Sequence, residues 1–274
     1  MFTKLPWMLV GSLLLITCAH NDNISENENL LDTLVTGTTD NIEEFIDFPS
    51  NIRMILPTQY RKEGTGYPRD VEGNSWLEFY KDKKSKQWKI GEAKLNTSYG
   101  FDECVGLDIM IIKSQHENAI FFFTPFSGLS EELVTLIEDK NLYPTQQLDI
   151  LLNGQKFEFS AQGNVLNEET GKPFTQDEIK ERSEADWVGS TIQEYSIQYT
   201  TNEGVFSLVK IPLLEGSDPN IVWIGDMNGD GIPDLILNAP SFYEGEHTYF
   251  FLSDPTDKDK PIKMVSEAEV MNDC

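Results

Sequence analysis

The residues best suited to chemistry lie in one short stretch, residues 226–234, which reads DMNGDGIPD. With Asp226 as position 1, side-chain oxygens occur at positions 1, 3, 5 and 9, and position 7 can offer a backbone carbonyl. Gly231 at position 6 permits a sharp turn. Calcium takes about six to eight oxygen ligands, and a short loop supplies most of them only by curling around the ion. The stretch therefore predicts a calcium site with the ligands Asp226, Asn228, Asp230, Ile232 and Asp234.

The segments on both sides of this loop are apolar and rich in β-branched residues, at 220–224 before it and 235–237 after it. Such segments favour strands. An EF-hand would have helices there and a glutamate at position 12, where this chain has Leu237. The pattern predicts a calcium-binding β-hairpin. The alternative is a metal-free turn built on the Asn-Gly and Asp-Gly pairs.

The stretch 225–237, GDMNGDGIPDLIL, resembles the metal loop of FG-GAP and integrin-like β-propeller repeats. In that family a D-x-[DN]-x-D-G-x-x-D loop between two strands surrounds calcium, which implies the same five ligands here. The motif occurs once in this chain, whereas a propeller needs several repeats. The last part of the chain also resembles a group of bacterial lipoproteins, through residues 223–236, 249–253 and the final Cys274. That similarity implies no activity.

The N-terminus has the features of a secretion signal. Lys4 precedes an apolar run over residues 5–16, which is too short to span a bilayer as a helix. The stretch Leu-Ile-Thr-Cys at 15–18 resembles a bacterial lipobox. The resemblance implies that residues 1–17 are removed and that Cys18 carries acyl chains such as palmitate. The alternative is an ordinary secretory signal with cleavage nearby.

Residues 18–47 are predicted to form a flexible acidic tether, since they combine acidic, Asn, Ser, Thr and Gly residues with no Lys or Arg. Residues 48–274 are predicted to form the folded region. If this region divides into two subdomains, the polar segment 164–185 is the best boundary. The tether would hold the folded region away from the lipid bilayer in which the acyl anchor sits.

Two cysteines remain after Cys18, namely Cys104 and Cys274. An even pair in an exported protein is a disulfide candidate because the compartment outside the cytoplasm is oxidising. Such a bond would tie the C-terminus to the middle of the fold. Two free thiols are the alternative.

The charge distribution argues against a nucleic-acid partner. The chain has 21 Lys and Arg against 46 Asp and Glu, a formal net charge of -25. A surface of this sign repels phosphate backbones. The partners expected are the lipid bilayer, through the anchor, and a protein or glycan that the sequence does not identify.

The remaining pattern predicts a mainly β fold, α+β at most, built of antiparallel hairpins. Apolar segments of strand length recur, at 76–80 with 87–90, at 107–112 with 119–123, and at 192–200 with 205–211. Asn153-Gly154 between two apolar segments is a strong hairpin signal. One helix is predicted at 175–184, with Thr175 as N-cap, and residues 130–140 suit either a helix or a strand.

No catalytic motif stands out in the sequence. The three histidines are scattered, and neither G-x-S-x-G nor a phosphate-binding glycine loop occurs. The function predicted is a calcium-stabilised, lipid-anchored binding or scaffold protein of the bacterial cell envelope, at the outer membrane or the periplasmic face. One alternative is a glycan or peptide hydrolase using carboxylates such as Asp102 and Glu103. Another is a glycan-binding module using Phe242 and Tyr243. The four tryptophans expected in the core are Trp76, Trp88, Trp187 and Trp223.

Overall fold

A computed structural model describes residues 52–130, 132–167, 169–182, 186–187 and 189–271. All of them belong to one compact unit, Pro49–Cys274. The predicted signal peptide, the acidic tether, Cys18 and Cys274 lie outside the described residues. The predictions for those segments therefore stay predictions.

The described part of the chain is mainly β with antiparallel sheets, which confirms the predicted fold class. The first strands are β1 (Met54–Ile55), β2 (Gln59–Arg61), β3 (Leu77–Lys81), β4 (Trp88–Glu92), β5 (Asn96–Asp102), β6 (Leu107–Lys113), β7 (Ala119–Phe123), β8 (Val134–Asn141) and β9 (Gln147–Leu152). They are followed by β10 (Gln155–Asn167), β11 (Lys172–Pro173), helix α1 (Gln176–Lys180), β12 (Thr191–Thr200), β13 (Val205–Glu215), β14 (Asn220–Asp226), β15 (Asp234–Asn238), β16 (Gly245–Ser253) and β17 (Ile262–Met271).

Within the described residues the strands form four sheets. The central sheet has the order β17-β16-β15-β14-β8. A second sheet has the order β11-β10-β12-β13, with β9 paired to β10, and the other two have the orders β1-β7-β3-β4 and β2-β6-β5. The calcium-loop hairpin of the sequence prediction is β14–β15, which lies inside the central sheet, paired with β8 on one side and β16 on the other.

The central sheet is covered on both faces. One face contributes Ile224, Leu237 and Phe251 to a first core shared with β9, β10, β12 and β13. The opposite face contributes Trp223 and Phe250 to a second core shared with β1, β3, β6 and β7. Strands buried on both faces read as continuous apolar runs rather than as alternating ones. This explains why the segments flanking the acidic loop have no polar face.

Aromatic contacts join the sheets of the second core. The Phe79 ring packs edge-on against Trp223 with centroids 5.5 Å apart. The ring centroids of Phe121 and Phe250 lie 5.3 Å apart. Edge and tilted ring contacts of this kind add about 0.5–1.5 kcal/mol each beyond the area that they bury. The four predicted core tryptophans are all buried, at Trp76, Trp88, Trp187 and Trp223.

Most local predictions agree with the structure, and one pairing is wrong. The Asn153-Gly154 hairpin joins β9 and β10, with both residues at positive φ as a tight hairpin turn requires. Residues 107–112 and 119–123 are strands, but they do not pair with each other. β6 pairs with β2 and β5, whereas β7 pairs with β1 and β3. Chain proximity suggested the pairing, and burial against different neighbours decided it.

The two segments with helical signals in the sequence form a short helix and an edge strand. Helix α1 has the predicted Thr175 cap, completed by a capping box with Glu178, but it ends at Lys180. The ambiguous segment 130–140 contributes the edge strand β8. The suggested boundary segment 164–185 contains the end of β10, β11 and α1, and the division into subdomains stays a prediction. Among the described residues, no helix has the length and apolar character needed to cross a membrane.

Candidate metal centre

The acidic loop, residues 226–234, joins two neighbouring strands of the central sheet. Close packing begins just before it, at Gly225. A Cβ atom there would stand 1.9 Å from the carbonyl oxygen of Val134 and 2.2 Å from the Trp223 ring. Only glycine fits such a contact, since Cβ atoms do not approach other atoms below about 3 Å. The entry of the loop is therefore fixed by the packing of β14 against β8.

The Asp226 carboxylate organises the first turn of the loop. Its Oδ1 accepts a hydrogen bond from the Gly229 amide at 2.7 Å, and its Oδ2 accepts one from the Gly231 amide at 3.0 Å. Gly229 and Gly231 both have positive φ, at 75° and 82°. Glycine adopts this conformation without the steric cost that a side chain would bring. The loop curls around the Asp226 carboxylate.

Asp230 and Asp234 converge on a residue of the neighbouring strand, Ser253 of β16. The Ser253 hydroxyl oxygen lies 2.7 Å from Asp234 Oδ1 and 2.9 Å from Asp230 Oδ2. The backbone carbonyl of Ile232 is 3.4 Å from the same hydroxyl. A hydroxyl has one proton to donate, so it can satisfy only one of these three acceptors. Asp234 Oδ1 also accepts the Ser253 amide at 2.7 Å, so the hydroxyl is one of several neutral donors that face these oxygens.

Asn228 faces the same group. Its Oδ1 accepts the Asp230 amide at 3.1 Å, while its Nδ2 donates to Asp230 Oδ2 at 2.9 Å and to the Ser253 carbonyl at 3.1 Å. The structure therefore gathers four of the five predicted ligands, Asn228, Asp230, Ile232 and Asp234, around Ser253. Asp226 is turned instead toward the amides of Gly229 and Gly231.

Burial makes the charge of Asp234 costly. Asp234 is fully buried and Asp226 is nearly so. Burial raises the pKa of Asp234 from its ordinary value near 3.8 to about 7, although hydrogen bonds from the Ser253 and Met227 amides favour the ionised form. The carboxylate of Asp230 nearby raises the pKa of Asp234 further. A bound cation would offset this cost because it favours the charged form of a carboxylate.

The donor set suits calcium. It consists of carboxylate, amide, carbonyl and hydroxyl oxygens, which are ligands for hard cations. Asp226, Asn228, Asp230, Ile232 and Asp234 would hold the ion, and Ser253 stands among them. Among the described residues, no group of three or more His, Cys, Asp or Glu is gathered closely enough to hold a metal by itself.

The other predicted site residues lie elsewhere. Cys104 lies in the turn between β5 and β6 and is disulfide-bonded. The other two cysteines of the chain, Cys18 and Cys274, are outside the described residues, so the Cys104–Cys274 pairing stays a prediction. Asp102 forms an ion pair with Arg61 at 2.9 Å, and the hydrogen bond from that guanidinium lowers the pKa of Asp102. A carboxyl group held ionised in this way is poorly suited to act as a general acid.

The aromatic pair considered for glycan binding lies away from the loop. Phe242 and Tyr243 are exposed and lie in the connection between β15 and β16. The acidic loop is at the opposite end of β15. A strand of that length spans about 13 Å. The rings and the acidic loop therefore do not form one site.

Three contributors to the site had no local signal in the sequence. Ser253 lies on the strand next to β15, and Ser130 donates its amide to the Met227 carbonyl at 2.9 Å. Asn153 contacts Gly231, where an added Cβ would stand 2.8 Å from its Nδ2. Ser253 belongs to a segment on which the lipoprotein resemblance rests, but its role depends on the pairing of β15 with β16.

No protein-family model, no curated protein sequence and no solved structure matches this chain.

Proposed function

We propose that the protein is an exported, lipid-anchored binding or scaffold protein of the bacterial cell envelope, stabilised by calcium in the 226–234 loop. The observation that carries the calcium role is the convergence of the Asp230, Asp234 and Ile232 oxygens on the Ser253 hydroxyl, together with the burial of Asp234. Burial and the neighbouring Asp230 carboxylate both disfavour the charged form of Asp234. Calcium would supply the missing positive charge.

The position of the loop gives the ion a structural role. The loop connects β14 and β15, two strands of the central sheet that contribute to both cores. An ion that binds only the folded state stabilises that state by mass action. Calcium would therefore strengthen the whole folded part rather than one surface loop. The anchoring part of the proposal rests on the N-terminal sequence and on Cys18.

The calcium role is tested by thermal unfolding of the full-length protein in detergent, with calcium or with EGTA. Calcium at about one hundred times its dissociation constant should add about 2.7 kcal/mol to the free energy of unfolding. Asp230→Ala should abolish this response because it removes a ligand. Asp108→Asn, an exposed carboxylate far along the chain on β6, is the control and should respond as the wild type does. An unchanged wild-type midpoint in EGTA would refute the calcium role.

The anchoring role is tested separately by fractionation of cells that express the protein. The wild type should sediment with membranes and be released by detergent. Cys18→Ser should remove the acylation site, and the protein should lose its membrane association or accumulate with its signal uncleaved. Asp108→Asn, which leaves the lipobox and every cysteine intact, is the control. Membrane association of mature Cys18→Ser protein would contradict lipid anchoring.

A further inference from the structure

Strand β5, residues Asn96–Asp102, forms one edge of the small sheet β2-β6-β5. It pairs with β6 along its whole length, from Asn96 opposite Lys113 to Asp102 opposite Leu107, and the pairing has no register shift. Within the described residues, no strand pairs with the other side of β5. A regular strand therefore presents an open edge there.

The hydrogen bonds of β6 show which backbone groups face this open edge. On the β2 side, the Lys62 amide donates to the Asp108 carbonyl at 2.8 Å, and the Ile112 amide donates to the Thr58 carbonyl at 2.9 Å. Even-numbered residues of β6 therefore direct their backbone groups toward β2. Successive residues of an antiparallel strand direct these groups to opposite sides. The odd-numbered residues of β6 consequently bond to β5.

The same alternation assigns the backbone groups of β5. Each odd-numbered residue of β6 lies opposite an even-numbered residue of β5, as Ile109 lies opposite Gly100. The amides and carbonyls of the odd-numbered residues, Thr97, Tyr99 and Phe101, therefore point to the open edge. The side chains of Tyr99 and Phe101 are also exposed, at 69% and 60%. The edge thus combines unpaired backbone groups with two exposed aromatic rings.

The longer edge strands of the described residues have protection against pairing that β5 lacks. Strands β8, β13 and β17 are longer than β5, and each contains a lysine and has a register shift against its neighbour. Lysine side chains and bulges keep a sheet edge from pairing with another chain. Strand β5 contains neither lysine nor proline, and its register is regular. Its edge is therefore able to add a strand.

The charge distribution around β5 favours a second copy of this chain as the added strand. The whole chain has a formal net charge of -25, which opposes self-association over most of the surface. The three strands of the β2-β6-β5 sheet, in contrast, contain two basic and two acidic residues, so their net charge is zero. Exposed Lys94 and Lys113 lie at the start of β5, and exposed Glu103 follows its end. Antiparallel pairing of two copies places the basic end of one strand beside the acidic end of the other.

We propose that two copies of this chain associate edge to edge through β5, antiparallel, about a two-fold axis at Tyr99. In this register Tyr99 lies opposite Tyr99 of the second copy, and Thr97 lies opposite Phe101. All three outward-facing residues are then paired, which gives about six backbone hydrogen bonds, two for each pair. A two-fold axis of this kind brings the same surface of each copy into contact, as in most homodimers. The inference goes beyond the calcium and anchoring roles and depends on neither.

The register is tested by cysteine cross-linking of the full-length protein in detergent, with calcium present and under mild oxidation. Residues opposite each other in a hydrogen-bonded antiparallel pair have Cα atoms about 5.5 Å apart, a distance that a disulfide spans. Tyr99→Cys should therefore form a disulfide-linked dimer on a non-reducing gel. Thr97→Cys and Phe101→Cys should form one only when mixed, because residue 97 is offset by about 14 Å along the strand from its own counterpart. Leu151→Cys, 70% exposed on β9, is the control and should stay monomeric.

Association without an added cysteine is measured by sedimentation equilibrium in the same detergent. The wild type should sediment as a dimer that dissociates on dilution. Tyr99→Pro should weaken the dimer at least about tenfold, because each dimer loses two backbone hydrogen bonds. The pairing with β6 should persist, since edge strands accept proline where the amide faces outward. Phe101→Lys, which keeps every backbone group, should also weaken the dimer because it places a lysine on the edge.

Several results would overturn the inference. These are a wild type that is monomeric at every concentration, a Tyr99→Cys dimer no more abundant than the Leu151→Cys dimer, or a Phe101→Lys variant that folds and dimerises as the wild type does. Cross-linking of Tyr99→Cys to a different protein in cells, without the dimer, would assign the edge to another partner and also overturn it. Absence of the dimer together with normal calcium stabilisation overturns this inference alone.

Discussion

Two acidic segments, the 226–234 loop and the β16–β17 connection, lie next to each other at one end of the central sheet. Their carboxylates are stabilised in different ways. The β16–β17 connection has a cation beside it, since Lys263 at the start of β17 pairs with Asp254 and Asp257. The hydrogen bond from Lys263 lowers the pKa of Asp257 to about 2. The 226–234 loop has no Lys or Arg, and burial raises the pKa of Asp234 to about 7.

The difference shows that residue type alone does not decide what an aspartate-rich turn needs. In the β16–β17 connection a lysine supplied by the chain and contact with solvent stabilise the carboxylates. In the loop, Asp226 and Asp234 are buried and the donors that the chain supplies are neutral hydroxyl and amide groups. The oxygens of Asp230, Ile232 and Asp234 converge on the Ser253 hydroxyl, and the donors that they meet there are neutral as well. The loop is therefore the segment where a cation from solution has the larger effect.

The largest expected effect comes from removing the buried carboxylate. Asp234→Ala should lower the free energy of unfolding by about 3 kcal/mol, because the buried amides of Met227 and Ser253 lose their acceptor. The calcium response should be lost as well. Urea denaturation with and without calcium measures both effects. Asp257→Ala is the matched change in the other segment and should be much milder. Equal stability of the two variants would remove the contrast between the segments.

A smaller effect is expected from the glycine that shapes the loop. Gly231→Ala should cost about 1–2 kcal/mol because its φ of 82° is unfavourable for a residue with a side chain. Gly154→Ala, at a φ of 83° in the β9–β10 turn, is the matched control, and an added Cβ there would meet no atom within 4 Å. Chemical denaturation should give comparable losses for both variants. Calcium affinity should fall only in Gly231→Ala. An equal fall in Gly154→Ala would contradict the assignment of the calcium site to the 226–234 loop.

Local pattern was enough to predict the strands around the loop and the curl of the loop itself. The apolar segments before and after it are β14 and β15, and the glycine at position 6 has the positive φ that the motif requires. The Asn153-Gly154 turn and the Thr175 cap were equally local, since each depends on residues a few positions apart. Features with a short sequence span could therefore be predicted.

Features that depend on pairing between distant strands could not be predicted. Ser253 reaches the loop only because β16 pairs with β15, and Asn153 reaches Gly231 only because two sheets pack together. The same limit explains the wrong pairing of 107–112 with 119–123. No local pattern specifies which of several apolar strands becomes a neighbour, since the choice depends on burial across the whole fold. The burial of Asp234 could not be predicted for the same reason.

The smallest expected effect concerns Lys263, the β17 residue that pairs with the carboxylates of the β16–β17 connection. Lys263→Met keeps the apolar stem of the side chain but removes the ammonium group. A carboxyl group whose pKa is lowered on folding contributes stability above its unfolded pKa, and this contribution disappears as the pH falls through its folded value. For Asp257 the window runs from about 4 down to about 2. The wild type should therefore be more stable than Lys263→Met at pH 6.

The two proteins should converge toward pH 2 in thermal scans, performed in EGTA so that the acidic loop does not contribute through calcium. Lys83→Met provides the comparison for a fully exposed pair, since Lys83 and Glu117 lie 2.7 Å apart on the surface. Exposed pairs contribute little, so its effect on the midpoint should be smaller still. A difference between wild type and Lys263→Met that stays constant from pH 6 to pH 2 would mean that Lys263 acts through packing. The contrast with the loop would then rest on burial alone and not on the presence of a cation within the chain.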